Sequence, residues 1–365
     1  MHSTRRVNGE PQRLYFYPAS SPEAIPRRNQ TTMTTQPLVT ETLAPESTRE
    51  FPETRSRLSQ ESAYYRFGLM LGLRNLLSNG FRLGFSKTLG KILQPVNFPT
   101  RYPEYAFMGT QIERYISQRG VSRNPGQRLK VLDVSSPKCF GLNLAYRYDA
   151  EIHLTDIDAA SVEESEILWD SVRDRAQGQA RFSLEDARAL SQPAEFFDIV
   201  FSMSVIEHIE DDGAPGDSLA IREMLRVLKP GGLLLVTVPF GDRYVEQERI
   251  GFKGSAIETH DAKPYFFARI YTREAAQERI LASAAGAGAQ LVKATTMEDL
   301  DNQFSRLYRK IGTTCRCLLG CLNPVFSSLV SKVWDGIVPV GGEYGKLWKQ
   351  ADVYGILMLA WEKRV

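Results

Sequence analysis

From residue 128 onward, short runs of β-branched and apolar residues alternate with helical stretches, and this alternation constrains the fold more than any other feature of the 365-residue sequence. The runs are Lys130-Val131-Leu132-Asp133-Val134, Glu151-Ile152-His153-Leu154-Thr155, Phe197-Asp198-Ile199-Val200-Phe201 and Leu233-Leu234-Leu235-Val236-Thr237-Val238. Helical patterns fall at 140–147, 159–177 and 216–228, the last stopped by Pro230-Gly231-Gly232. Buried runs of about four to eight residues, separated by helices, predict a parallel sheet with helices on both faces. A further helix is expected from the N-cap Thr272, a strand at 290–295, and a closing strand over Tyr354–Trp361.

In an open α/β sheet, ligands bind beyond the carboxyl ends of the strands, where the strand order reverses. Acidic residues recur at those ends: Asp133, Asp156 and Asp158, and Glu185-Asp186. Ser202 and Glu207-His208 follow the run that starts at Phe197. A carboxylate after the second strand suits ribose hydroxyls, because it accepts from both.

These segments resemble the class I S-adenosylmethionine-dependent methyltransferases, in particular those with a short methyltransferase-11-type core. The resemblance covers residues 129 to about 297. Val131–Val134 is similar to the family's first motif, Leu154–Asp158 to its second, and Glu185–Arg188 to the stretch at the adenine. Phe197–Ile209 and Arg226–Gly232 are similarly close, and Tyr271–Glu274 resembles the opening of the next helix. The resemblance implies a Rossmann-like, doubly wound, mostly parallel seven-stranded sheet with S-adenosylmethionine as cofactor. The residues it places at the cofactor are Asp133, Ser135, Ser136, Asp156, Asp186, Ala187 and Ser202. His208 is the candidate acid–base group, able to take a proton from a hydroxyl or amine as the methyl arrives. The alternative for Glu207-His208 is loop capping. His260 is a weaker candidate.

The chain departs from the family in one place. The Gly-rich turn after the first strand is here Ser135-Ser136-Pro137-Lys138-Cys139-Phe140-Gly141, and Gly141 is its one glycine. Small Ser135 and Ser136 can still admit a ligand, whereas Pro137 fixes φ and removes a donor.

The flanks differ in texture. Residues 1–60 hold 15 Ser or Thr and 7 Pro with no hydrophobic period, so they are expected to be a disordered tail. Met33 within it is an alternative start. Residues 61–127 are expected to be a helical segment, with two helices rather than one between 62 and 93 because Gly68, Gly72, Gly80, Gly84 and Gly90 weaken the pattern. Between 61 and 130 stand 11 Lys or Arg against 3 Asp or Glu. This block reads either as a contact with a membrane surface or an acidic substrate, or as a cap packed on the core with a solvated basic face. The methyltransferase core is then 128–298 with 351–365, and 299–350 is an insertion of two amphipathic helices broken at Asn323-Pro324. Insertion and basic block together are expected to roof the acceptor site.

Composition removes several other classes. Net charge is +2, which argues against nucleic acid as partner. Four cysteines are too few for a disulfide scaffold and fit a reducing compartment. Cys315, Cys317 and Cys321 lack the paired Cys-x-x-Cys spacing of structural zinc. No run reaches the roughly 18 apolar residues of a membrane span, and the N-terminus lacks a secretory h-region. A cytoplasmic enzyme with a small or lipid-like acceptor and no metal is the expectation. Two other readings remain: a metal-dependent nucleotide-sugar glycosyltransferase using Asp156 and Asp158, and a non-catalytic methyltransferase-like binding protein.

Overall fold

The computed structural model describes residues 53–93, 101–119, 128–250, 264–299, 340–342 and 354–364. The expectations for residues 1–52, for Met33, for His260, for Cys315, Cys317 and Cys321, and for nearly all of the 299–350 insertion lie outside these residues.

The chain opens with three helices, α1 (Glu53–Asn79), α2 (Phe85–Leu93) and α3 (Arg101–Arg119). The core then runs β1 (Leu129–Val134), α4 (Lys138–Arg147), β2 (Ala150–Asp156), α5 (Ala159–Asp170), β3 (Gln179–Leu184), β4 (Phe197–Met203), α6 (Gly216–Val227) and β5 (Leu228–Gly241). A hairpin follows, β6 (Val245–Ile250) and β7 (Pro264–Ile270), then α7 (Arg273–Ala276), a π-helical turn (Gln277–Leu281), α8 (Ala282–Gly286), β8 (Ala289–Asp299), β9 (Val340–Gly342) and β10 (Tyr354–Lys363).

The main sheet has the order β3-β2-β1-β4-β5-β10-β8-β9. Strands β1 to β5 are parallel. Strand β10 lies antiparallel between β5 and β8. Seven strands thus make the Rossmann-like sheet, and the short β9 adds an eighth at the β8 edge. The chain reverses its direction of winding between β1 and β4, so the ends of those two strands frame the ligand crevice of an open sheet.

Alternating side chains feed two cores. Val131, Ile152, Phe201, Leu235 and Met358 face α1, α3, α4 and α5. Leu132, Val134, Val200, Val236 and Leu359 face α6 and the π-helical turn–α8 segment. Burying both faces explains why these strands read as unbroken apolar runs. Strand β3 did not stand out in the sequence: its Gln-Ala-Arg-Phe-Ser-Leu is partly exposed at the sheet edge, so it lacks that texture.

Helix α1 begins at Glu53, within the stretch expected to be tail through residue 60. Pro52 precedes it, and Glu53–Gln60 is rich in helix formers, which extend the pattern of the following turns backwards. The chain turns at Gly80 and Gly84, whose φ of 58° and 85° are left-handed. Three basic residues of this hairpin reach acids or carbonyls of the core. Arg74 pairs with Asp174 and donates to the Ser171 carbonyl, and Lys87 and Lys91 share Glu164 of α5.

Gly72 lets the two helices touch. A Cβ there would lie 2.7 Å from the Lys91 carbonyl oxygen, a backbone atom that cannot swing aside. Gly72→Ala is expected to destabilise the fold by about 1–3 kcal/mol through overpacking, read as a lower thermal midpoint. An unchanged midpoint would show that α2 rides freely on α1.

Candidate active site at the strand ends

The turn after β1 is built around a buried carboxylate. Asp133 is 1% exposed, and its Oδ1 accepts from the Ser136 amide at 3.0 Å. Oδ2 has no hydrogen-bond partner. Burial pushes this carboxyl up to about 7; Ser136 and the Lys138 ammonium act against that, and Asp156 adds to it. Helix α4 passes close by. A Cβ on Gly141 would sit 2.3 Å from Oδ2, so Gly141 sets how near the helix approaches the strand.

Ser135 takes a left-handed φ of 56°, a conformation suited to glycine. Ser136 is buried, and its Oγ accepts from the Met203 amide at 3.0 Å, which ties the turn to the end of β4. Ser202 donates to the Val134 carbonyl. Both serines therefore staple β1 to β4 at the switch point. Phe140 is packed between Tyr64 of α1, Tyr105 of α3 and Phe201 of β4.

Asp156 ends β2. Its Oδ1 accepts from the Asp158 amide, and its Oδ2 meets the Lys138 ammonium at 2.5 Å, both side chains 13% exposed. Asp158 does separate work: it is the N-cap of α5 and accepts from the Ala160 and Ser161 amides and the Ser161 hydroxyl. That employment leaves the Asp-x-Asp pair divided between two tasks. Among the described residues no group of three or more His, Cys, Asp or Glu is placed to hold a metal ion. Beyond β3, Asp186 is forked by Arg188, whose hydrogen bonds hold its carboxyl below the usual range, and Ala187 is half-buried beside it.

His208 lies on a single turn after β4. Its Nδ1 is 2.6 Å from the Phe267 carbonyl of β7, and its ring meets Phe267 edge-on. A carbonyl can only accept, so Nδ1 carries a proton, and in the neutral ring the lone pair belongs to Nε2. Nε2 is 3.7 Å from Glu207 Oε1. The turn is braced from behind. Buried Arg269 of β7 bonds the Ile209 carbonyl and Asp211; Arg279 bridges Asp211 and Asp217; the Tyr271 hydroxyl donates to Asp217.

Sequence reasoning missed a buried polar hub at this end of the sheet. Glu104, from the first turn of α3, accepts from Ser204 Oγ at 2.6 Å and Thr237 Oγ1 at 2.5 Å, and pairs with Arg101 at 2.7 Å. Thus α3 reaches over the ends of β4 and β5. The available signal was a lone acid directly before the apolar run Tyr105–Met108. Glu207 is buried next to this hub, and its Oε2 has no partner. Burial pushes its carboxyl up to about 8, with Arg101 acting against the rise and Glu104 adding to it. The hub, Tyr64 and Tyr105 bring α1 and α3 against the core beside Asp133. The 299–350 insertion, expected to roof the site together with the 62–93 block, falls almost wholly outside the described residues.

Comparison with known proteins comes to the same place. Residues 132–236 match the family model described as a methyltransferase domain. The matched segment runs from β1 into β5 and so includes the ends of β1, β2 and β4. The chain is 42% identical over 57 residues to the 2-methyl-6-phytyl-1,4-hydroquinone methyltransferase of Synechocystis sp., a match covering 16% of each chain. It is 39% identical over 90 residues to the ubiquinone/menaquinone biosynthesis C-methyltransferase UbiE of Stutzerimonas stutzeri, covering 24% of this chain and 31% of that one. The chain therefore spans less than a third of the length of either relative. Among solved structures, a S-adenosylmethionine-dependent methyltransferase of Methanosarcina mazei shares 15% identity over 70% of this chain and 97% of its own, with a TM-score of 0.42. The [4+2]-cyclase SpnF shares 22% identity over 72% and 84%, with a TM-score of 0.39.

Glu207 makes stability depend on pH. Its folded value is raised, so the folded protein holds a proton that the unfolded chain gives up. That contribution is full below the ordinary carboxyl value of 4.5 and is lost as pH rises through about 8. Glu207→Gln removes the dependence. Its melting temperature is expected to exceed that of the native protein by a margin that widens from pH 5 to pH 9; a constant margin would mean that the carboxyl titrates normally.

Proposed function

We propose that this protein moves the methyl group of S-adenosylmethionine to a small, partly apolar acceptor. The observation that carries the reading is the pair of carboxylates at adjacent parallel strand ends, Asp133 and Asp156, beside the switch point of a domain matched as a methyltransferase. The donor set suits the cofactor. Asp156 would accept from the ribose hydroxyls. Asp133, sealed behind the Ser135-Ser136 turn, would hold that turn's backbone toward the amino-acid end through its bond from the Ser136 amide, and Asp186 with Ala187 would meet the adenine. The cofactor's sulfonium supplies an already activated methyl group, so the protein's main tasks are placement and exclusion of water.

His208 has the remaining role. With Nδ1–H given to Phe267, Nε2 would take the proton of an acceptor hydroxyl. In a phenol this leaves negative charge on the oxygen and on the ring carbons ortho and para to it, which are the atoms that accept a methyl. The two relatives' names, one a hydroquinone methyltransferase and the other a ubiquinone/menaquinone biosynthesis C-methyltransferase, support a phenolic small molecule as the acceptor class.

A second reading rests on the same turn. A strained Ser135, a missing glycine run and the Lys138–Asp156 contact together suit a methyltransferase-like protein that keeps the scaffold without turnover. S-adenosylhomocysteine separates these readings from the metal-dependent alternative. At about 100 times its dissociation constant, a ligand of the folded state stabilises by about 2.7 kcal/mol. A clear upward thermal shift, followed by label transfer from methyl-labelled cofactor to a panel of hydroquinones, is expected. No shift would overturn the proposal.

Asp156 and Asp158 are expected to separate cleanly. Asp156→Ala should weaken S-adenosylhomocysteine binding about tenfold to a hundredfold, the value of a charge-assisted hydrogen bond, with the fold intact. Asp158→Ala should cost about 1 kcal/mol of stability through the lost cap and leave affinity unchanged. Calorimetry and thermal melts on both variants check this; equal loss of affinity in the two would return the pair to a shared ligand.

A further inference from the structure

The helical hairpin α1–α2 carries an apolar surface that the core does not use. Nine large apolar side chains are exposed among the described residues, and five of them fall in one short stretch: Leu73, Leu77, Phe81, Phe85 and Leu89. They recur at every fourth residue. Along α1 and α2 that spacing stacks neighbours on one side of each helix. Across the turn, the Phe81 and Phe85 rings meet at 5.2 Å and join the two halves. Leu77 is 85% exposed and Phe85 59%. The other faces of the same helices are occupied: Tyr64, Phe67 and Leu71 enter the core, and Gly72 seats α2 against α1.

Charge says what this surface meets. From Ser62 to Pro103 the sequence contains no Asp or Glu and six Lys or Arg. Arg82 and Lys87 stand exposed within the apolar stripe itself, beside Phe81 and Phe85, although Lys87 also reaches Glu164 of α5. A protein partner would match a mixed rim with mixed charges. A continuous anionic sheet of headgroups above hydrocarbon matches aromatic and leucine side chains bordered by cations of one sign. No described helix is long and apolar enough to cross a membrane, so the fitting mode is a hairpin lying in the interface.

We infer that the Leu73–Leu89 face docks the protein on an anionic lipid bilayer, with the Phe81–Phe85 turn as its deepest point. The inference stands apart from the methyl-transfer reading and needs neither cofactor nor acceptor. Where that reading also holds, the two connect. Tyr64, which packs on Phe140 of the cofactor turn, is on the same helix as Leu77, roughly 20 Å along its axis. A bilayer-dissolved acceptor would then be delivered close to the site.

The test is sedimentation of the full-length protein with vesicles of phosphatidylcholine and phosphatidylglycerol. Binding is expected to rise with the phosphatidylglycerol fraction and to weaken at high salt. The triple variant Leu77→Ser, Phe81→Ser, Phe85→Ser should bind about a hundredfold more weakly or worse, since three apolar anchors are lost. All three side chains are exposed, so its melting temperature should stay close to native. Arg82→Gln with Lys87→Gln gives a milder second variant that should lose the preference for phosphatidylglycerol. The inference is overturned if the native protein ignores these vesicles, or if the folded triple variant binds them as well as native. It is also overturned if the native protein dimerises through this face and does not bind lipid.

Discussion

A carboxylate sealed between a strand and a helix sets the geometry of this protein's crevice. Asp133 cannot reach water, and Gly141 brings α4 so close that the carboxylate has no room to turn away. Its one good hydrogen bond, from the Ser136 amide, fixes the turn. Ser136 in turn holds Met203, so the ends of β1 and β4 are positioned together. Everything arranged above the switch point depends on this contact: the direction in which α4 leaves, the placement of Phe140 beneath α1 and α3, and the distance from Asp133 to Asp156.

A second layer of buried polar groups fixes the turn after β4. Left-handed Ser204, with φ of 49°, starts it, and Glu104 reaches in from α3 to take the Ser204 and Thr237 hydroxyls. From the opposite side, β7 and the helix after it contribute Arg269, Tyr271 and Arg279. Segments that enclose the core sheet on either side in sequence therefore converge on one short loop. Buried groups of this kind are costly when one member is lost, because its partners remain buried without a match.

The core was legible where burial on both faces wrote itself into residue type. Leu233–Val238 and Ile199–Phe201 have no polar alternation because neither face meets water, and that texture, followed by acids at the strand ends, pointed to the crevice. Strand β3 and the β6–β7 hairpin were not legible, since a half-exposed strand such as Gln179–Leu184 mixes Arg, Ser and Phe as a loop does. Within the site, Asp133 and Asp156 announced themselves by position. Glu104 and Glu207 did not: their importance comes from contacts across the fold, which no spacing along the chain encodes. The double duty of the Asp156-Ile157-Asp158 run was also hidden, because N-cap and ligand-facing aspartates are the same letter.

The Lys138–Asp156 contact changes what binding at that carboxylate means. The acid is already answered, by an ammonium projecting from the first turn of α4. A visitor to Asp156 must displace or share that ammonium, so its gain is the difference between two interactions. Dissolved salt has little hold on the resting pair, because both side chains are largely buried and such a pair is screened far less than one at the surface. The turn thus converts a simple recognition contact into a competition between two partners for one carboxylate.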